Sequence, residues 1–171
     1  MPPVVAVIGK KNCGKTTLIE SLIPELIGLG YRVGTIKHHH GSDISFDQPG
    51  KDTWRHKQAG AEAVLLSSSK GLGLIRDTSR EIPVQELVSL YFPDMDLVLT
   101  EGYKKEPIPK VEIFRSAVHS EPLPDPQGSL IARVSDVETD PDVLHFGLDE
   151  SRALAQFIAE KIIIPAREEN S

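Results

Sequence analysis

Residues 9–17 read Gly9, Lys10, Lys11, Asn12, Cys13, Gly14, Lys15, Thr16 and Thr17, and so fit the pattern G-x-x-x-x-G-K-[ST] in full. In such a segment the glycines let main-chain N–H groups turn inward and approach phosphate oxygens. A helix starting at the second glycine adds free donors and a positive dipole end. Lys15 is expected to reach the β- and γ-phosphates of a nucleotide, and the Thr16 hydroxyl to ligate Mg²⁺. Cys13 is either a small space-filling residue or a thiolate activated by Lys10, Lys11, Lys15 and the helix start. A glycine-rich turn without a ligand is the plain alternative, and it is set aside because an apolar run precedes the motif and an amphipathic pattern follows it.

A phosphate loop leaves Mg²⁺ under-coordinated, so an acidic residue is expected at the end of another buried strand. Glu101 follows the apolar run 96–100 and is the candidate, with Lys15 the other catalytic candidate; Asp96, at the opposite end of that run, reads as a turn residue. Glu101 as a solvated loop charge is the competing reading. Asp43 and Asp47 lie in a polar loop expected at the same sheet edge, and either can join the metal shell; Asp47 is the candidate ligand taken forward. His38, His39 and His40 are adjacent. Consecutive side chains in extended chain point in alternating directions, so a fringe near the phosphates competes with a zinc or nickel site. A second cation near the γ-phosphate is sought among Lys10, Arg55 and Lys104. Lys104, Lys105, Lys110 and Arg115 are a basic run that either holds a phosphate or is a solvated face.

The guanine signature Asn-Lys-x-Asp is absent, since the only asparagines are Asn12 and Asn170. Asp136 directly follows the apolar run 130–134 and offers a substitute, because one carboxylate can accept from guanine N1–H and the 2-amino group together. An ordinary turn aspartate is the competing reading.

These groups need a scaffold. Residues 4–8 are a short β-branched run that reads as a strand buried on both faces. Residues 18–29 carry leucine and isoleucine at spacings of three and four, a wide helical face with Pro24 inside the helix, where it is expected to kink it, and Gly28 and Gly30 as its stop. Residues 31–37 read as a second strand, 51–59 as a short helix, and 63–67 with 71–75 as a hairpin. Residues 83–91 read as a helix with Pro83 in its first turn. Further strands are expected at 96–100, 111–114, 130–134 and 143–146. A proline-rich loop falls at 121–128, and a last helix is expected to be capped by Asp149 or Ser151. Strands alternating with helices define an α/β fold with a parallel sheet.

The 171 residues suit one domain, 1–171, able to bury a core without disulfides. A net charge of -6 argues against phosphate-driven nucleic-acid binding, and one cysteine cannot form an internal disulfide. The start has no basic region and only a brief apolar run, and no stretch approaches the roughly 18 apolar residues of a membrane span. The expected location is the cytoplasm.

Four segments occur in order: the phosphate loop, residues 33–40 (Val-Gly-Thr-Ile-Lys-His-His-His), residues 49–61 with Pro-Gly-Lys-Asp and Ala-Gly-Ala, and residues 96–104 with Thr-Glu-Gly-Tyr-Lys. Together they resemble the MobB family, the GTP-binding protein of molybdopterin-guanine dinucleotide biosynthesis. The resemblance implies a P-loop NTPase-like three-layer fold: a mostly parallel central sheet, helices on both faces and a β-hairpin insertion. It implies a homodimer, GTP and Mg²⁺ as ligands, weak GTP hydrolysis, and service as adaptor to the guanylyltransferase that attaches GMP to molybdopterin. By position, Gly9, Lys15 and Thr16 match the phosphate loop, Glu101 the acidic strand end and Asp136 the guanine contact. Lys10 occupies the place of an extra lysine that in this branch reaches phosphate across a dimer, although Lys11 and Asn12 replace two glycines of that signature. A GTPase metallochaperone and an ATP-dependent small-molecule kinase or ligase are the rival functions.

Overall fold

The computed structural model describes residues 1–39, 41, 47–124 and 128–169. His40, Asp43 and part of the proline-rich loop therefore lie outside the described residues. The chain divides into two compact units, one comprising Met1–His38 with Gln85–Ser171, the other His39–Val84.

The first unit holds a six-stranded sheet built from β1 (Val4–Ile8), β2 (Val33–Lys37), β5 (Leu97–Glu101), β6 (Lys110–Phe114), β7 (Leu130–Ser135) and β8 (His145–Phe146), in the order β2-β5-β1-β6-β7-β8. Every pairing in it is parallel. All five residues of β1 are buried, as a β-branched run between two neighbours requires. One face carries Val5, Val7, Leu97, Leu99, Val111, Ile113, Ala132 and Val134. These pack with Leu18, Leu22 and Leu26 of α1 (Lys15–Gly28) and with Leu154 and Ile158 of α4 (Ser151–Ile158). The two helices also pack against each other. On the opposite face Gly34 lies against Phe92, which follows α3 (Val84–Tyr91); a Cβ on Gly34 would come within 2.4 Å of that ring. Helices thus cover both faces.

The second face is partly charged. Glu112 and Arg133 are register partners on β6 and β7 and form a buried ion pair at 2.9 Å. Arg133 also donates to the Thr139 hydroxyl at 2.8 Å, and Glu112 accepts the Leu123 N–H. Such a pair is tolerable inside only because its remaining lone pairs and protons are satisfied.

The expected helix starts hold, with one correction at the last. Neither Asp149 nor Ser151 caps α4; Glu150 occupies that position without a side-chain cap bond, its carboxylate accepting the Gly147 N–H at 2.6 Å. Beyond α4 the helix widens into a π-helical turn (Ala159–Ile163), and the Ile164 N–H reaches Ala159 C=O, before α5 (Ile164–Glu169). Pro165 explains this turn. In a regular helix its ring would strike the carbonyl four residues back, and the extra residue per turn removes that conflict.

The second unit holds α2 (Asp52–Gln58) and the antiparallel hairpin of β3 (Ala63–Ser68) and β4 (Gly71–Arg76). Its register pairs Leu65 with Leu74 and Leu66 with Gly73. Lys57 ties the end of α2 to the unit, donating to Ala61 C=O at 2.9 Å and pairing with Asp77.

Candidate nucleotide-binding site

The phosphate loop joins β1 to α1 beside the point where the strand order reverses, since β5 lies on one side of β1 and β6 on the other. Gly9 is required there. Its φ is 154°, and a Cβ would come within 2.5 Å of both Cys13 Sγ and Ile113 O. Gly14 caps α1 in the left-handed region (φ 101°), and no side chain caps the helix. The first N–H groups of α1 are therefore not taken by a side-chain cap, which is the donor set an anion needs. Asn12 adds a left-handed residue (φ 64°) inside the loop.

Lys15 folds back over this loop, donating to Lys10 O at 2.9 Å and Gly9 O at 3.3 Å. Cys13 is fully buried, and its thiol donates to Lys10 O at 2.9 Å. Burial pushes the thiol pKa up and outweighs the opposing charge of Lys15. Of the two readings of Cys13, the structure supports the space-filling thiol over the activated thiolate.

Glu101 meets the motif across the sheet. Its Oε2 accepts from Thr16 Oγ1 at 3.0 Å, and its Oε1 lies 3.5 Å from Lys37 Nζ. Lys37 is Glu101's register partner on β2. The backbone then turns sharply, with Gly102 at φ 109° and Tyr103 at φ 57°. Only glycine fits position 102, where a Cβ would lie 3.1 Å from His38 Cβ. A bulky residue in the left-handed region is a genuine outlier. Tyr103 is held by burial and by the His38 ring at 4.8 Å, and the His38 N–H donates to Glu101 O.

Asp136 follows β7 and is clasped by Ser116, whose N–H and hydroxyl each donate to one carboxylate oxygen at 2.9 Å. The Ser116 N–H is the largest cause of a lowered Asp136 pKa. The segment carrying Ser116 continues to the phosphate loop: His119 Nε2 donates to Lys11 O at 2.8 Å, and Glu121 lies 3.9 Å from Lys10 Nζ. Residues 115–121 thus tie the base candidate to the loop. Ser116, His119, Lys37 and Tyr103 were not among the sequence candidates. Lys37 alone left a signal, as a cation at a strand end, and that signal needed the strand register to be read.

Lys110 does not belong to an exposed basic run. It is fully buried, donating to Glu106 O, Ile108 O and Ser129 Oγ, whereas Lys104, Lys105 and Arg115 are exposed. Asp96 is an anchor rather than a simple turn residue. It accepts from the Arg32 N–H at 2.7 Å and pairs with Arg167 at 2.8 Å. Burial acts to raise its pKa, but these donors prevail and hold it at about 2. Asp47 and Arg55 lie in the second unit, Arg55 pairing with Asp52 at 3.7 Å. Among the described residues no group of three or more His, Cys, Asp or Glu side chains is placed to hold a metal ion. No helix among them is long and apolar enough to cross a membrane.

A phosphate loop between the central strand and its helix, faced by a carboxylate from the neighbouring strand, defines a P-loop NTPase-like α/β protein. The profile of the family described as "Molybdopterin guanine dinucleotide synthesis protein B" (MobB) matches residues 4–136, and the chain belongs to that family. It is 36% identical over 166 residues to the "Molybdopterin-guanine dinucleotide biosynthesis adapter protein" of Escherichia coli K12, covering 94% of this chain and 93% of that one. It is 34% identical over 157 residues to the Haemophilus influenzae protein of the same description, covering 91% and 87%. The crystal structure of Bacillus subtilis MobB superposes with a TM-score of 0.75 at 28% identity, over 94% of this chain and 98% of that one.

Proposed function

We propose that this protein binds GTP with Mg²⁺ at the phosphate loop and acts in the cytoplasm as an adaptor in molybdenum-cofactor biosynthesis. In that role it assists a guanylyltransferase that attaches GMP to molybdopterin. The observation that carries the nucleotide reading is the meeting of Thr16 and Glu101, a hydroxyl and a carboxylate 3.0 Å apart at the mouth of the loop. An oxygen pair of this kind suits Mg²⁺, which takes one or two protein oxygens together with phosphate. The residues fit the ligand elsewhere too: Gly9 leaves no room for a side chain, Lys15 rests on loop carbonyls, and α1 begins without a side-chain cap.

Thr16 and Glu101 would hold the metal, while Lys15 and the first amides of α1 would bind the phosphates. Mg²⁺, when bound, supplies charge neutralisation at the phosphate oxygens. Hydrolysis is expected to be weak, with the nucleotide acting as delivered substrate or conformational signal. Asp136 is proposed to read guanine through lone pairs that Ser116 leaves free. Homodimerisation is proposed through the hairpin, where Leu65 and Leu72 lie on one face and are 56% and 73% exposed. The naming of the E. coli and H. influenzae relatives as adapter proteins supports the biosynthetic role.

Calorimetry of GTP and ATP binding with Mg²⁺ tests this reading. Wild type should prefer GTP, Lys15→Ala should abolish binding, and Asp136→Ala should lower the GTP/ATP affinity ratio about tenfold. Absence of GTP binding by folded wild type overturns the nucleotide reading. An unchanged ratio in Asp136→Ala removes Asp136 as the base reader.

A further inference from the structure

Residues 115–121 leave β6 and run to the phosphate loop, where they touch two successive loop residues. The Nε2–H of His119 donates to Lys11 O at 2.8 Å, and Glu121 lies 3.9 Å from Lys10 Nζ. A carbonyl acceptor requires the proton on Nε2, whatever the charge of the ring. The imidazole is offered from an anchored turn. The N–H groups of Val118 and His119 both donate to Arg115 O at 3.0 Å, and Ser116 grips Asp136 with its N–H and its hydroxyl.

The bond to Lys11 O bears on the next residue. In a trans peptide, as Lys11–Asn12 is, the C=O and the following N–H point in opposite directions. Holding Lys11 O towards His119 therefore aims the Asn12 N–H away from it. Asn12 stands at φ 64°, a left-handed conformation that is costly to a non-glycine residue and persists where its surroundings impose it. The preceding carbonyl is engaged from within the loop instead, Lys10 O accepting from the Cys13 thiol and from Lys15 Nζ. Among the described residues the Asn12 N–H donates to no protein acceptor.

Building on the nucleotide reading above, we propose that His119 is a positioning residue for phosphate: by holding Lys11 O it keeps the Asn12 N–H turned into the loop as a donor to a polyphosphate oxygen. Without that bond the Lys11–Asn12 peptide is free to rotate and set its carbonyl oxygen, a partial negative charge, against the anion. With it the donor is in place before the ligand arrives, and less ordering is left for binding to impose. The ligand class is a polyphosphate whatever base it carries, so this role is separate from that of Asp136.

The test titrates the full chain with GTP and with inorganic tripolyphosphate, each with Mg²⁺, by calorimetry. His119→Phe keeps a ring and removes the donor, whereas His119→Gln keeps an N–H donor at similar reach. His119→Phe should weaken both ligands about three- to tenfold, and His119→Gln should recover most of that loss. Amide NMR of the wild type gives a readout that needs no variant: the Asn12 N–H resonance should move downfield as tripolyphosphate saturates the loop. Equal affinities in wild type and His119→Phe overturn the proposal, as does an Asn12 resonance that tripolyphosphate leaves unmoved. Equal losses in the Phe and Gln variants mean packing alone and overturn it too. A loss for GTP without one for tripolyphosphate does the same, since the segment would then act on the base. Wild type that binds neither ligand rejects the nucleotide reading together with this one, whereas wild-type binding that His119→Phe leaves intact rejects this one alone.

Discussion

Thr16 and Glu101 are 85 residues apart in the chain, yet the hydroxyl of one donates to the carboxylate of the other at 3.0 Å. β1 and β5 are adjacent parallel strands, with Val7 paired to Glu101, so the end of one strand faces the loop that leaves the other. This contact gathers the loop and the acidic strand end into one oxygen-rich spot.

Removing the carboxylate charge should uncouple nucleotide affinity from the metal. Glu101→Gln keeps the shape and a hydrogen-bond acceptor for Thr16. GTP binding in the presence of Mg²⁺ should weaken about tenfold or more, and chelation should then cause little further loss. Calorimetry with and without Mg²⁺ reads this directly; a variant with wild-type magnesium dependence would exclude Glu101 from the metal shell.

Lys37 competes for the same carboxylate from the β2 side. The ammonium is two-thirds exposed, so its attraction is screened and small. Lys37→Met should lower the half-saturating Mg²⁺ concentration for GTP binding by about two- to fivefold. A rise in that concentration would mean that Lys37 helps to hold the nucleotide rather than opposing the metal.

Acid should loosen the edge where Arg32, Asp96 and Arg167 meet. Asp96 titrates at about 2 in the folded protein against 3.8 ordinarily, so its folded pKa is depressed. Its stabilising contribution is present above about pH 4 and is lost as pH falls through about 2. Asp96→Asn should cost about 1–2 kcal/mol at pH 7, allowing for solvent screening, and the difference from wild type should shrink towards pH 2. Urea unfolding at pH 7, 4 and 2 checks it; a difference that grows on acidification contradicts the assignment.

Cys13 should resist alkylation in the native state. The thiol is fully buried, protonated and bonded to Lys10 O, so a reagent must wait for the phosphate loop to open. Iodoacetamide should react at least about tenfold more slowly than with unfolded chain, GTP should slow it further, and alkylated protein should lose GTP binding. Full labelling with unchanged GTP affinity would contradict this placement.

The short-range features of the fold were legible in the residues. Val4, Val5, Val7 and Ile8 announce a doubly buried strand, and Gly9 to Thr16 announce a turn into a helix, because each pattern encodes backbone geometry within a few residues. Glu101 was found by position in its strand, and its partner Thr16 by motif. Lys110 misled, because a lysine among Lys104, Lys105 and Arg115 reads as surface, and only the packing of 106–110 against Ser129 reveals that its ammonium is enclosed by carbonyls. The π-helical turn before Pro165 was also unread, since the helical period there continues on paper while the ring forces an extra residue per turn.

The sequence by itself determined the phosphate loop, the alternation of strands and helices, and the family, since contiguous residues carry all of these. Tertiary structure decided which distant groups meet: Lys37 on Glu101, Ser116 on Asp136, His119 on Lys11, and Arg133 beneath Glu112. The reason is physical. A turn or a helix start is fixed by local dihedral preferences, whereas strand order and register are set by the burial of the whole sheet, and one residue of slip would send Lys37, Glu101, Glu112 and Arg133 to the other face.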